Sequence, residues 1–172
     1  MASLPYHVVC VCLGNICRSP TAEIILKHYI ALAELPIVVD SAGTSNYHPN
    51  KSPDPRSQKY AKVRGYDLSG LRARQIRRED FEQADLILAM DQANLTDLHW
   101  KIDKINQQDQ WQTPKKAHLA LLSEHDPQFP QQAVPDPYFG QASDFERVIA
   151  QCESSAQAWV AYWQANPQLL QR

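Results

Sequence analysis

The amino-acid sequence predicts an α/β protein, a three-layer αβα sandwich around a four-stranded parallel sheet. Three observations carry this expectation. Four short apolar runs rich in β-branched and aliphatic residues alternate with stretches of helical period. The flanks of those runs carry helix caps, prolines and a glycine where helices should start and stop. The 172 residues are 44% hydrophobic, enough for one core, so a single domain spanning residues 1–172 is expected.

Each element follows from local pattern. Residues 7–12 are continuously apolar, as in a strand covered on both faces. From Pro20 the period changes, and Ala22, Ile25, Leu26, Tyr29, Ile30 and Ala33 form a helical stripe, with Ser19 expected as cap and Pro20 as first helical residue. Ile37–Gly43 reads as a second strand, laid parallel to the first by a right-handed crossover. Residues 56–64 read as a helix stopped by Gly65. Residues 84–90 form a third buried strand, after which Asp91 is expected to cap a short helix with Leu95 and Leu98 inward. Residues 101–116, polar and Gln-rich, read as a solvated connection, and residues 117–122 as the fourth strand. Residues 123–142 form a long loop with four prolines, a length that in a compact domain usually serves function. The last helix is expected to open with a capping box, Ser143 with Glu146, and to bury Phe145, Val148, Ile149, Cys152, Trp159, Val160 and Trp163.

Composition excludes several classes. A net charge of −2 provides no basic field for nucleic acid, so no nucleic-acid partner is expected. There is no run of about 18 apolar residues and no basic-then-apolar leader at the start, so a cytoplasmic protein without a membrane partner is expected. Cys10, Cys12, Cys17 and Cys152 cluster three to one, a poor framework for disulfides. The histidines at 7, 28, 48, 99, 118 and 125 lack the close Cys/His pairing of a zinc site, so neither metal nor cofactor is expected.

The chemistry concentrates in "CLGNICRS". Cys12 ends the first strand, and α/β sheets bind ligands beyond the carboxyl ends of their strands. Leu13, Gly14, Asn15, Ile16 and Cys17 are enough to wrap a tetrahedral anion in backbone N–H groups, and they feed a helix N-terminus whose dipole favours negative charge. Gly14 is expected to allow the tight turn, and Asn15 to adopt a left-handed conformation. Arg18 offers a planar fork for two phosphoryl oxygens. This electropositive setting favours a nucleophilic thiolate at Cys12, and the Ser19 hydroxyl can stabilise that sulfur as a leaving group. Cys17 reads two ways, as a provider of its backbone amide or as a redox partner for Cys12. Asp136, between Pro135 and Pro137, reads equally as a turn cap or an acid. Cys10 and Cys152 read as core thiols, and Arg72, Arg74, Arg77 and Arg78 as a solvated, salt-bridged face.

The stretch "CLGNICRSPTAE" closely resembles the signature of the low-molecular-weight protein tyrosine phosphatases. The resemblance extends, in the family's order, to "VDSAGTS", "ARQIRREDF", "ILAMDQANLTDL" and "DPYFG". It implies a flavodoxin-like fold, a phosphocysteine intermediate on Cys12 and inorganic phosphate as product. It also implies phosphotyrosine proteins as partners, a tyrosine kinase among them. Asp136 becomes the general acid that protonates the leaving group and then the base for water, while Leu13, Tyr47, Tyr138 and Phe139 wall an aromatic slot. Many members carry a histidine just before Ala-Arg-Gln. Here Leu71 stands there, leaving Asn15, Ser19 and Ser41 to support the loop. Three rival functions fit the residues less well. An arsenate reductase on this scaffold needs further relay cysteines, and none lies between Cys17 and Cys152. A non-catalytic phosphate-binding module would not need both Cys12 and an acid. A thiol redox protein of thioredoxin type would space its cysteines by two residues, not four.

Overall fold

The computed structural model describes residues 4–108 and 117–171. Its four strands, β1 (Tyr6–Cys12), β2 (Ile37–Gly43), β3 (Leu86–Ala89) and β4 (His118–Leu121), form a parallel sheet in the order β2-β1-β3-β4. Around it lie α1 (Arg18–Leu32), α2 (Pro55–Val63), α3 (Arg78–Gln83), α4 (Gln92–Gln108) and α5 (Ala142–Ala165). A 3-10 turn over Pro167–Leu170 follows. The three-layer α/β arrangement is the one the alternating pattern predicts.

Strand periodicity sorts the core into two layers. Val8, Cys10, Cys12, Leu86 and Leu88 point to one face, where Ile25 and Leu26 of α1 and Val148, Ile149, Trp159 and Trp163 of α5 cover them. Val9, Val11, Ile87 and Ala89 point to the other, against Leu98 and Ile102 of α4 and Phe81 of α3. Full burial of each large aliphatic residue contributes roughly 1.5–3 kcal/mol, so both helical layers are held by apolar area. The thiols of Cys10 and Cys152 lie within the first layer as core residues.

Several local expectations are corrected. Ser19 does not cap α1. Cys17 holds the N-cap position without a side-chain cap bond, Arg18 opens the helix, and Pro20 sits third, where its missing N–H costs nothing. The Ser19 hydroxyl turns inward to Asn15 and Cys12 instead. α4 is not short. It runs 17 residues because Leu95, Leu98, Ile102 and Ile105 continue one stripe, so residues 101–108, expected as solvated connection, are helical. The rest of that expected connection, residues 109–116, lies outside the described residues. α5 opens two residues early, with the Asp144 carboxylate accepting the Gln141 N–H at 2.7 Å, so the box is not Ser143 with Glu146. The expected stops and caps elsewhere hold: Gly65 takes φ +89° after α2, and Asp91 Oδ1 accepts the Asn94 N–H at 2.7 Å. Arg74 is no part of a solvated face. It is half-buried, pairing with Asp80 and Asp40 at 2.8 Å each.

The long loop before α5 is pinned at several points. Val134 is fully buried, and its N–H donates to Met90 O at 2.8 Å. The Asp126 carboxylate accepts from the N–H groups of Gln128 and Phe129 and from the hydroxyls of Ser154 and Ser155 at 2.7–3.0 Å. Burial pushes the Asp126 carboxyl up, but these donors outweigh it and hold it below its ordinary value. A folded-state value below the unfolded one contributes stability above about pH 4, lost as pH falls through the folded value. Asp126→Asn is therefore expected to lower the free energy of unfolding at pH 7 by about 1–3 kcal/mol in urea titrations. The deficit should shrink as the titration is repeated below about pH 4.

Candidate active site

Cys12 ends β1 and Asp91 follows the end of the neighbouring β3, both at the carboxyl edge of the sheet. The sheet departs from β1 toward β2 on one side and toward β3 on the other, so this is the switch point where a doubly wound sheet leaves a crevice. Here residues 13–17 loop from β1 into α1. Their carbonyls are engaged on the outside: Leu13 O by Ser45 N–H at 3.0 Å and Ser45 Oγ at 2.7 Å, Ile16 O by Asp54 N–H at 2.8 Å. In a trans peptide the next N–H points the other way, so Gly14 and Cys17 turn their amides to the hollow of the loop. Asn15 donates its N–H to Cys12 Sγ at 3.3 Å.

Asn15 is the hinge of this loop. It takes φ +56°, the left-handed region that asparagine tolerates. Gly14 has no positive φ, so the expected tight-turn role passes to Asn15. At Gly14 a β-carbon would lie 3.1 Å from the His48 ring, and at Gly43 one would lie 2.7 Å from Leu13 O. The absent side chain of Gly43 is what lets β2 close against the loop. The Asn15 amide donates to Ser19 Oγ at 2.8 Å and Ser41 Oγ at 3.0 Å, and its oxygen accepts the Arg74 N–H at 3.1 Å. Ser41 Oγ in turn donates to the buried Glu23 carboxylate at 2.5 Å, which Lys27 Nζ neutralises at 2.6 Å. Every polar atom of the Asn15 side chain is thus engaged, and the network closes with Leu71 rather than histidine in the chain.

Cys12 Sγ lies 3.0 Å from Ser19 Oγ. Arg18 is buried beside it. Its Nη1 donates to Asp91 Oδ2 at 2.6 Å and to Val134 O at 3.1 Å, while Nη2 lies 3.7 Å from Asp136 Oδ2. Burial opposes the Arg18 charge, but the neighbouring Cys12, Asp91 and Asp136 outweigh it and hold the guanidinium above its ordinary value. Asp136 is half-exposed, and its Oδ1 accepts the Tyr138 N–H at 3.1 Å, so it does cap its own turn while facing Arg18. Burial pushes the Cys17 thiol up to about 12, so it stays protonated at neutral pH.

A cavity of about 320 Å³ opens over the sulfur. Cys12, Leu13, Gly14, Ile16, Cys17 and Arg18 form its floor and near wall, and Asp136, Tyr47, Tyr138 and Phe139 its far side, so these expected residues meet in one place. Asn15, Ser19 and Ser41 lie behind it. Tyr138 and Phe139 pack edge to face at 4.9 Å. Phe139 is 96% exposed and Tyr47 largely so, which makes them a rim rather than a lining. Two residues of the site escape sequence reasoning. His48 enters from the loop after β2, its ring 6.5 Å from Tyr138, and no local pattern marks it. Asp91 carries a signal, since it follows a strand that should neighbour the first, but its cap role conceals the second oxygen that binds Arg18.

A family model described as low molecular weight phosphotyrosine protein phosphatase matches residues 7–169. The human low molecular weight phosphotyrosine protein phosphatase is 41% identical over 155 residues, covering 89% of this chain and 92% of the relative. Among solved structures, a protein tyrosine phosphatase from Entamoeba histolytica with Hepes in its active site superposes with TM-score 0.82 at 32% identity, covering 94% of this chain and 99% of the other. A Drosophila arginine phosphatase gives TM-score 0.82 at 29% identity, covering 91% and 97%. The fold and the cysteine loop define a phosphatase of the cysteine-dependent class. The chain belongs to the low molecular weight phosphotyrosine protein phosphatase family.

The thiols give a direct check. Cys10 and Cys152 are buried with their ionisation pushed up by that burial, and Cys17 stays a thiol, so Cys12 is the one expected to react. Iodoacetate at pH 7 should alkylate the native protein at Cys12, and native Cys12→Ser should take up label at least about tenfold more slowly, read by intact mass.

Proposed function

We propose that this enzyme hydrolyses phosphotyrosine in proteins, and small aryl phosphates, through a phosphocysteine on Cys12. The Cys12 thiolate attacks phosphorus in line, an S–P bond forms as the P–O bond to the phenol breaks, and Asp136 gives its proton to the departing oxygen. Water then attacks phosphorus while Asp136 takes a proton from it. The S–P bond breaks and inorganic phosphate leaves. Ser19 Oγ and the Asn15 N–H support the sulfur as it regains its charge. Because Arg18 Nη1 is taken by Asp91 and Val134, the grip on two phosphoryl oxygens falls to the Nε and Nη2 edge.

The observation that carries this reading is the convergence of Cys12 and Arg18, from either end of the loop between β1 and α1, with Asp136, more than a hundred residues further along the chain, on one cavity with an aromatic mouth. The rings of Tyr47, Tyr138 and Phe139 suit a phenyl ester, each aromatic pair contributing about 0.5–1.5 kcal/mol beyond burial. Phosphoproteins are the substrate class the family acts on, and we assign a tyrosine kinase among them. Among the described residues no helix is long and apolar enough to cross a membrane. We assign the enzyme to the cytoplasm, where its free thiols stay reduced.

The test is turnover of a phosphotyrosine peptide beside phosphoserine, phosphoarginine and arsenate. The phosphotyrosine peptide is expected to be hydrolysed fastest, with no arsenate reduction, and Cys12→Ser to abolish activity. Asp136→Asn should lower kcat/KM for the phenolic ester about 10²- to 10⁴-fold while inorganic phosphate still inhibits. Faster turnover of phosphoarginine, or full activity in Asp136→Asn, would overturn the substrate or the acid respectively.

A further inference from the structure

Arg56 lies outside the cavity lining, yet it touches both halves of the site. On one side it is locked to Asp54: Nε donates to Oδ1 at 3.0 Å and Nη2 to Oδ2 at 2.8 Å, a bidentate pair. Asp54 also caps α2, taking the Arg56 N–H at 2.8 Å, and its own N–H donates to Ile16 O of the cysteine loop at 2.8 Å. On the other side, the guanidinium carbon lies 5.5 Å from the centre of the Tyr138 ring and 4.7 Å from that of Phe145, both within cation–π reach. Phe145 is buried in the first turn of α5 and stacks on Tyr60 of α2, a fixed backstop. Tyr138 is two residues from Asp136 and donates its N–H to the Asp136 carboxylate.

We infer that Arg56 is a positioning residue that clamps the Asp136 loop to the cysteine loop, acting through Tyr138 on the placement of the proton donor. The inference rests on the assignment of Asp136 as general acid. The chain of contacts runs from Ile16 through Asp54 and Arg56 to Tyr138 and Asp136. Each link is needed for a different reason. Asp54 fixes the guanidinium against the cysteine loop, the flat cation engages the rings that a lysine would meet only as a point charge, and the Tyr138 N–H fixes the carboxylate rotamer. Half-exposed Asp136 has little else to hold it: Arg18 stands off at 3.7 Å, and the loop tip at Phe139 is bare to solvent.

A clamp on the acid has a signature that a general structural role lacks. Protonation matters most for a poor leaving group and little for a good one, so kcat/KM, which reports steps up to breakage of the P–O bond, should become more dependent on the leaving group. Phenyl phosphate and 2,4-dinitrophenyl phosphate form the probe pair. For Arg56→Met, kcat/KM on phenyl phosphate is expected to fall about tenfold or more, a fraction of the 10²- to 10⁴-fold carried by the acid, and on the dinitrophenyl ester less than about threefold. Asp54→Asn, which keeps the cation but weakens its tether, should show the same pattern more weakly. Inhibition by inorganic phosphate should stay within about twofold of wild type, showing the anion loop intact. A uniform fall on both esters, no fall on either, or parallel loss of phosphate inhibition would overturn the clamp. Asp136→Asn in the same series separates the two ideas. If it shows no dependence on the leaving group, the acid assignment fails; if it does and Arg56→Met does not, only the clamp fails. In the double variant, the Arg56 substitution should add less than about twofold on phenyl phosphate.

Discussion

The site depends on one buried cation. Removing a guanidinium from water costs several kcal/mol unless partners replace the lost solvation, and Arg18 is buried almost completely. Its partners come from everywhere the site needs to be held together: Asp91 after β3, the Val134 carbonyl of the long loop, Asp136 further along that loop, and Cys12 at the end of β1. Satisfying Arg18 therefore assembles the site. The same charge that makes burial expensive makes the hollow attractive to an oxyanion, and in the proposed reaction one edge of the fork is spent on structure while the other faces the phosphoryl group.

Against that cation, the loop from Leu13 to Cys17 needs rigidity, and it has little length from which to draw it. Its stiffness is supplied from outside by three segments distant in sequence. Residues 44–45 take carbonyls of Cys12 and Leu13, Asp54 takes that of Ile16, and Arg74 takes the Asn15 side chain. Arg74 is itself fixed by Asp40 and Asp80. The half-buried ion cluster at the far side of β2 thus bears on the loop through a single N–H. This explains how the support network closes without a histidine at position 71: Asn15 finds a backbone donor for its oxygen and two serine hydroxyls for its amide.

Much of this was legible in the residues. Four apolar runs, their intervening helical stripes, the stop at Gly65 and the cap at Asp91 predict the sheet and its cover, because strand and helix periods are local properties. The departures from local pattern are short-range too, but have a tertiary cause. Ser19 has the chemistry of a helix cap and is drawn away by Cys12 and Asn15; residues 101–108 look solvated by composition, yet Ile102 and Ile105 find the sheet. Likewise Arg74 belongs to an arginine run by sequence and to an ion cluster by packing.

For the site, spacing alone placed a thiol, an anion loop and an arginine together, since seven residues at a strand-to-helix junction have few ways to fold. Asp136 needed the resemblance to be chosen over a mere turn cap, because its partner lies more than a hundred residues away. What only the tertiary structure decided are the contacts between segments with no sequence relation: His48 filling the space beside Gly14, Gly43 yielding to Leu13, and Asp91 turning its second oxygen to Arg18. Short-range chemistry writes itself into neighbouring residues, whereas a contact made by packing leaves no pattern until the chain has folded around it.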